Sequence, residues 1–346
     1  MCAVARNSSL LHEYVIEKML TPSFLGLGGV DISKVDGGNY AGLEVTDYSA
    51  GLLSGFDTLF IDYDENMGAS SIYSEVIDNA KEIGLEIIIS RKYRNVFGQE
   101  PITWPSNAPL VESSDEHRLY EIPIPIITIL TQGARTDQFA TELALRKHFI
   151  EEGYNVSQIG SYEASQFFGF HELPNFLYEQ RDAYEKTLRF NRYVAGLVSR
   201  EKPHVIIIGV PTGIMKYNNK LLEGLGFLPY IVCNAVRADI LTLCMYHLDY
   251  EKIFYDETSQ YGNYHFGTPI DFYCVANTSF VPEFTGSLRA SKKNYVDIDS
   301  DYVLATINKN IVSGDFHLFN ALDNGSIKSA CITIQENLLN NVSSVR

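Results

Sequence analysis

Apolar residues in this chain come in short runs separated by polar stretches, and the clearest run sits near its middle. Ile126-Ile127-Thr128-Ile129-Leu130 is a set of five apolar or β-branched residues between Pro125 and Gly133, and it reads as a strand buried on both faces. A helix follows, capped by Thr136 or Asp137, whose apolar positions Phe139, Leu143, Leu145, Phe149 and Ile150 fall mostly on one side. Gly153 stops it, and Tyr154 to Ile159 reads as the next strand. Strand, polar loop, helix and strand in that order predict a parallel crossover unit. Its loop then presents backbone N–H groups and a helix N-terminus at the carboxyl edge of a sheet, where anions bind.

The same alternation recurs on both sides. Before it, Asp57 to Asp62 is a strand, Ser70 to Ile83 a helix and Leu85 to Ser90 a strand, while Leu10 to Leu20 has the look of a helix. After it come a long helix over Glu179 to Arg200 and a buried strand Val205-Ile206-Ile207-Ile208, followed by the loop Gly209-Val210-Pro211-Thr212-Gly213. Ile240 to Met245 and Ile270 to Val275 continue the strands, and helices are expected over Asp301 to Ile311 and from Ile327 to about Leu339. Periodicity lapses from Tyr93 to Tyr120, where Pro101, Pro105 and Pro109 interrupt it. The expected organisation is α/β throughout: a Rossmann-like domain over 1–121, then a P-loop-like parallel domain over 122–346.

The loop after the central strand has the position of a P-loop without its chemistry. In G-x-x-x-x-G-K-[ST] the Lys contacts the β/γ-phosphates and the hydroxyl binds Mg²⁺. Counted from Gly133, those places hold Gln138, Phe139 and Ala140. The P-loop is therefore degenerate, and ATP hydrolysis is not expected. Arg135 is the one cation in the loop and is suited to a carboxylate or phosphate. Gly133, Arg135 and Thr136 are thus ligand-binding candidates, joined by Thr212 and Gly213 if both strands are parallel. Asp62 and Asp64 are further candidates at the end of their strand, and His171, in an aromatic loop, is an acid–base candidate. His204, just before a core strand, reads as structural. No catalytic residue and no cofactor can be named from these patterns.

Charge and cysteine content narrow the partners. With 27 basic against 43 acidic residues the formal charge is −16, which argues against nucleic acid and anionic membrane. No apolar run approaches the roughly 18–20 residues that span a bilayer. The 5 cysteines are scattered without metal-ligand spacing, so no metal is expected and a reducing cytoplasm is.

Several motifs together resemble a bacterial family of peptide maturation system proteins, found beside radical SAM enzymes and bacteriocin-like precursors. They are Asp36-Gly37-Gly38-Asn39, Arg135-Thr136 with Leu143-Ala144-Leu145-Arg146, and the run Gly153 to Gly160. Phe168-Gly169-Phe170-His171, Pro174-Asn175-Phe176 and Ile206-Ile207-Ile208-Gly209 with Gly213-Ile214-Met215 continue the likeness. The resemblance implies an accessory role in maturing a ribosomally made, post-translationally modified peptide, with precursor peptide or radical SAM maturase as partner. The domain order also resembles the D-glutamate N-acetyltransferase family, whose intact P-loop Lys this chain lacks. The alternative expectation is a nucleotide- or acyl-donor-dependent transferase, working in the crevice between the Arg135 and Thr212 loops.

Overall fold

The computed structural model describes residues 2–8, 13–21, 39–40, 43–47, 53–54, 56, 58–61, 70–89, 118–162, 165, 169–217, 223–283, 292–310 and 316–344. The fold is mixed α/β, with a large parallel sheet and seven α-helices among these residues. Two compact units divide the chain: Met1–Pro105 with Glu163–Phe170, and Ser106–Tyr162 with His171–Arg346.

The first unit holds a six-stranded sheet in the order β3-β4-β2-β1-β5-β6. Its strands are β1 (Cys2–Ser8), β2 (Glu13–Thr21), β3 (Asn39–Tyr40), β4 (Leu43–Asp47), β5 (Thr58–Ile61) and β6 (Glu86–Ile89), with helix α1 (Ser70–Glu82) between the last two. The strand–helix–strand unit β5–α1–β6 is parallel, as its periodicity predicts. The helix expected over Leu10 to Leu20 is instead β2, paired antiparallel with β1 from Cys2↔Leu20 to Ser8↔Glu13. Cross-strand pairing overrides the modest helix propensity of Glu, Lys, Met and Leu there. The sheet is consequently mixed, not the all-parallel Rossmann-like sheet expected, since β1 is antiparallel to both β2 and β5. Asp62 and Asp64, the Asp36-Gly37-Gly38 run and the segment 91–117 lie outside the described residues.

The second unit is built on seven parallel strands in the order β15-β12-β11-β7-β10-β8-β9. These are β7 (Ile126–Thr131), β8 (Val156–Gly160), β9 (His171–Glu172), β10 (Val205–Gly213), β11 (Ile240–Met245), β12 (Ile270–Val275) and β15 (His317–Phe319), while β13 (Thr278–Glu283) and β14 (Lys292–Asp297) form a separate hairpin. Helices α2 (Gln138–Glu151), α3 (Ala183–Glu201), α4 (Phe227–Ala235), α5 (Lys252–Phe266), α6 (Ser300–Asn310) and α7 (Asn324–Ser344) complete it. Strand side chains alternate between two cores, as a period of two requires. Ile126, Leu130, Ile206 and Ile208 pack with residues of α3, α4, α5 and α6. Ile127, Ile129 and Ile207 pack with Leu145 and Phe149 of α2 and Ile327, Cys331 and Ile334 of α7. Burial on both faces explains why β7, β10 and β11 read as continuous apolar runs.

Helix α2 is rotated from its expected setting. It buries Thr141, Glu142, Leu145 and Phe149, whereas Ile150 is exposed and Phe139 and Leu143 are half-buried. Gln138, Glu142, Leu145 and Phe149 follow i, i+4, i+7, i+11, so a carboxylate occupies a core position of this face. Gly153 ends the helix in the left-handed region, as read from the sequence.

Candidate functional site

Strand β7 ends in Thr131, and the loop that follows turns its polar groups inward. The Gly133 amide donates to Thr131 Oγ1 at 3.0 Å, and the hydroxyls of Thr131 and Thr136 meet at 2.6 Å. The carbonyl of Gly133 lies 2.6 Å from Thr131 Oγ1 and 3.2 Å from Thr136 Oγ1. Both threonines and Gly133 are buried. Arg135 and Asp137 adopt left-handed backbone conformations, φ 62° and 56°. That geometry costs on the order of 1 kcal/mol or more per non-glycine residue, so the surrounding bonds must hold it.

The side chain of Gln138 seals the junction between two strands. Pairing of β7 with β10 runs to Ile129↔Gly209, breaks, and resumes at Thr131↔Gly213. Gln138 Nε2 fills the break, donating to the Ile129 carbonyl at 2.8 Å and the Val210 carbonyl at 3.0 Å. One amide group thus satisfies two carbonyls that the interrupted ladder leaves open. On the other flank the Gln132 side-chain oxygen accepts from the Tyr246 amide at 3.0 Å and the Tyr250 hydroxyl at 2.9 Å.

The rim of the loop is tied to the region around the β13–β14 hairpin. Arg135 lies over the Tyr295 ring, 4.9 Å from its centroid, and Asp137 Oδ2 accepts from the Asn277 amide at 2.9 Å. Contrary to the capping expectation, no side chain caps the N-terminus of α2, because the Asp137 carboxylate turns to Asn277. Loss of water pushes the Asp137 carboxyl up to about 6; the Asn277 amide opposes this and the charge of Asp297 adds to it.

Beneath the loop lies a second polar group of residues. Glu142, one turn along α2 from Gln138, is fully buried against Gly209, where a side chain would overlap its carboxylate. Glycine at 209 is therefore what admits Glu142 to the sheet. Glu142 Oε2 accepts from the Ser161 amide at 3.1 Å, while Oε1 has no hydrogen-bond partner. Gln158 of β8 is 1 % exposed, and neither its side-chain oxygen nor its nitrogen is paired. Burial pushes the Glu142 carboxyl up to about 7 despite the opposing influence of Ser161 and Gln158. Deeper still, Thr141 Oγ1 lies 3.4 Å from Cys274 Sγ and 3.7 Å from Cys244 Sγ.

The remaining candidates are dispersed. Gly213 is buried beside Thr131, whereas Thr212 is exposed with φ 79°. His171 opens β9, and its Nε2 lies 2.6 Å from Glu201 Oε1, with Ser157 Oγ donating to Glu201 Oε2 at 2.7 Å. Glu201 closes the helix that leads into the start of β10, while His171 pairs in register with Ile159, next to the last residue of β8. His204 is structural in its contacts: its Nδ1 accepts from the Asn155 amide at 2.9 Å. Sequence reading missed Gln132, Glu142, Gln158 and Gly209 as site residues. The signal present was a glutamate at a core position of α2. Among the described residues no group of three or more His, Cys, Asp or Glu is placed to hold a metal, and no helix is long and apolar enough to cross a membrane.

No family model matches the chain, and no curated protein matches it. Among solved structures, it is similar to a DUF1611 family protein from Anabaena variabilis ATCC 29413, with a TM-score of 0.54 and 12% identity. That alignment covers 91% of this chain and 90% of the other, so the two share a fold over nearly their whole length. Chloroplast FtsY from Physcomitrella patens aligns over 46% of this chain and 52% of its own at 16% identity, with a TM-score of 0.30. The signal recognition particle receptor FtsY from Elizabethkingia anophelis gives 49% and 53% at 16% identity, with a TM-score of 0.28.

Proposed function

We propose that this protein is a non-hydrolytic binding module, an accessory protein in the maturation of a ribosomally made, post-translationally modified peptide. Its partner would be the precursor peptide or the modifying enzyme. One observation carries the non-hydrolytic part: the loop is filled by its own side chains. Gln138 bridges the carbonyls of Ile129 and Val210, and the Thr131–Thr136 hydroxyl pair occupies the interior. A P-loop that cradles phosphate needs its amides and interior open, and a Lys where Phe139 stands. The parallel sheet with its loop and helix is thus read as a degenerate P-loop-like domain. The peptide part is supported by the motif resemblance set out above. A cytoplasmic site of action belongs to the same proposal, supported by the four buried cysteines being free thiols. Nucleic acid is not among the proposed partners, on the charge of −16.

The test is calorimetry with MgATP, MgGTP, acetyl-CoA and a precursor peptide, alongside a phosphate-release assay. Peptide binding without nucleotide turnover is expected, and Arg135→Ala should leave the peptide bound. ATP turnover abolished by Arg135→Ala would overturn the reading. A donor-dependent transferase in the crevice between the Arg135 and Thr212 loops is the second reading. What favours it is that β7 and β10 are adjacent and parallel, so the loops that follow them leave the same edge of the sheet.

A further inference from the structure

Two stretches of the second unit carry no formal charge. Gly224 to Val236 and Thr258 to Thr268 hold no Asp, Glu, Lys or Arg, in a chain where those residues make up 20%. The first contains α4 and the second covers the last turns of α5, and the fold sets them side by side. Asn234 Nδ2 donates to the Tyr230 carbonyl at 2.8 Å and to the His265 carbonyl at 3.0 Å, which ties the two helices together. Tyr261 stacks on His265 with ring centroids 4.1 Å apart and donates to the Ile214 carbonyl at 3.1 Å. Its hydroxyl lies 3.5 Å from where a side chain on Gly226, the residue before Phe227, would begin. Inward, Leu228, Ile231 and Val232 of α4 and Tyr255, Thr258 and Phe266 of α5 are buried. Outward, Phe227 is 66 % exposed, Tyr230 49 % and Tyr264 82 %.

Aromatic side chains present on the order of 200 Å² each, so the three expose roughly 400 Å² between them. That is the size of the largest apolar patch on an ordinary monomer, and about half of the ~800 Å² that one partner contributes to a stable interface. We infer that this face is a two-fold dimer interface, in which α4 and α5 of one protomer pack on the same helices of its partner. Charge selects the occupant. Copies carrying −16 each repel one another, so they meet most favourably where carboxylates are missing. A face without Lys or Arg has no cation to draw an acidic partner, and one without Asp or Glu has no anion to draw a basic one. Aromatic enrichment with depletion of charge is the composition of an interface core, and interfaces between identical subunits are the more apolar class. A two-fold axis lets a single patch serve both sides. The nearest carboxylates before it on α5, Asp256 and Glu257, are exposed and lie a turn or more ahead of Tyr261, at the margin where water remains. The dimer goes beyond both functional readings above, neither of which gives α4 or α5 a role.

Sedimentation equilibrium of the whole protein, at concentrations up to about 100 μM, tests it. A monomer–dimer equilibrium is expected, tightening between about 0.05 and about 0.5 M NaCl because salt screens the repulsion between acidic chains. Phe227→Glu and Tyr264→Glu should each weaken the dimer about a hundredfold or more. The two-fold axis places every substitution in the interface twice, and each buries an unpaired charge. Ile150→Glu is the control, since Ile150 is exposed on α2, which packs on the other face of the sheet, and its dimer should match the wild type. Circular dichroism checks folding: a carboxylate suits position 227, the first of its helix, and Tyr264 stands mostly in solvent. Should one variant fail to fold, the other carries the test. Overturning results are a monomer at every concentration, a dimer indifferent to both substitutions or weakened equally by Ile150→Glu, or a dimer that salt dissociates. A monomer that uses this face to hold a different protein would also overturn the assignment, while leaving the two functional readings as they stand.

Discussion

Replacing Glu142 with glutamine should stabilise the protein at pH 8 and change it little at pH 5. In the unfolded chain this carboxyl ionises around 4.5, whereas burial pushes it up to about 7 in the folded state. Between those values the folded protein keeps a proton that the unfolded chain has released. Stability therefore falls as pH rises through this window and stays reduced above it. The gap between 4.5 and about 7, at about 1.4 kcal/mol per pH unit, corresponds to about 3 kcal/mol. Glutamine carries no proton to lose and keeps an oxygen for the Ser161 amide, so the variant escapes that cost. The side chain is fully buried, so solvent does not screen the effect.

Asp137 acts with the same sign between 3.8 and about 6, but it is present in both proteins and cancels in the comparison. Urea unfolding at pH 5 and pH 8, read by circular dichroism, measures the difference. Labelling of Cys233, Cys244, Cys274 and Cys331 serves as a second probe, because all four are buried in the parallel-sheet unit. Parallel pH profiles for the two proteins, or equal destabilisation of the variant at both pH values, would show that Glu142 keeps its charge in the fold. The reasoning from burial would then fail.

Gln138→Ala should cost about 2 kcal/mol in urea unfolding, since it strips the bonds to the Ile129 and Val210 carbonyls and leaves both acceptors open. Gly209→Ala should be strongly destabilising, and Glu142→Ala should recover much of the loss. A double-mutant cycle should give a coupling above about 1 kcal/mol, and additive effects would refute the contact. Glu201 is held at about 2: burial works against ionisation, and the bonds from His171, Ser157 and Arg200 outweigh it. Its contribution is thus present above about 4.5 and lost as pH falls toward 2. In His171→Ala an NMR titration of Glu201 should move up toward the ordinary carboxylate value.

The second unit was legible because its physics is local. A strand buried on both faces must be apolar along its whole length, and β7, β10 and β11 each announce themselves in that way. Gly153 with its left-handed φ could be read as a helix stop for the same reason. Strand β2 was not legible, since Glu13–Thr21 carries residues that suit either state. Its register with β1, Cys2↔Leu20, is information held by the partner strand. The rotation of α2 escaped for a related reason. Counting apolar residues placed Phe139 and Ile150 inward, but Thr141 and Glu142 join Leu145 and Phe149 on the buried face, Glu142 meeting the Ser161 amide there.

That last point bears on how the loop should be understood. From the sequence, Gln138 and Phe139 are two wrong letters in a phosphate-binding motif, which suggests a site that decayed. In the fold they are not vacancies. Gln138 closes the gap in the β7–β10 ladder with two hydrogen bonds, and Thr136 meets Thr131 within the turn. Asp137 and Arg135, both left-handed, are held by Asn277 and Tyr295. A relic under no selection would be expected to relax the two strained positions, for which glycine is the cheaper residue. Keeping Arg and Asp there, each engaged with a partner outside the loop, fits a rebuilt structural junction. One helical turn deeper, the buried Glu142 carboxylate stands against Gly209 and accepts from the Ser161 amide.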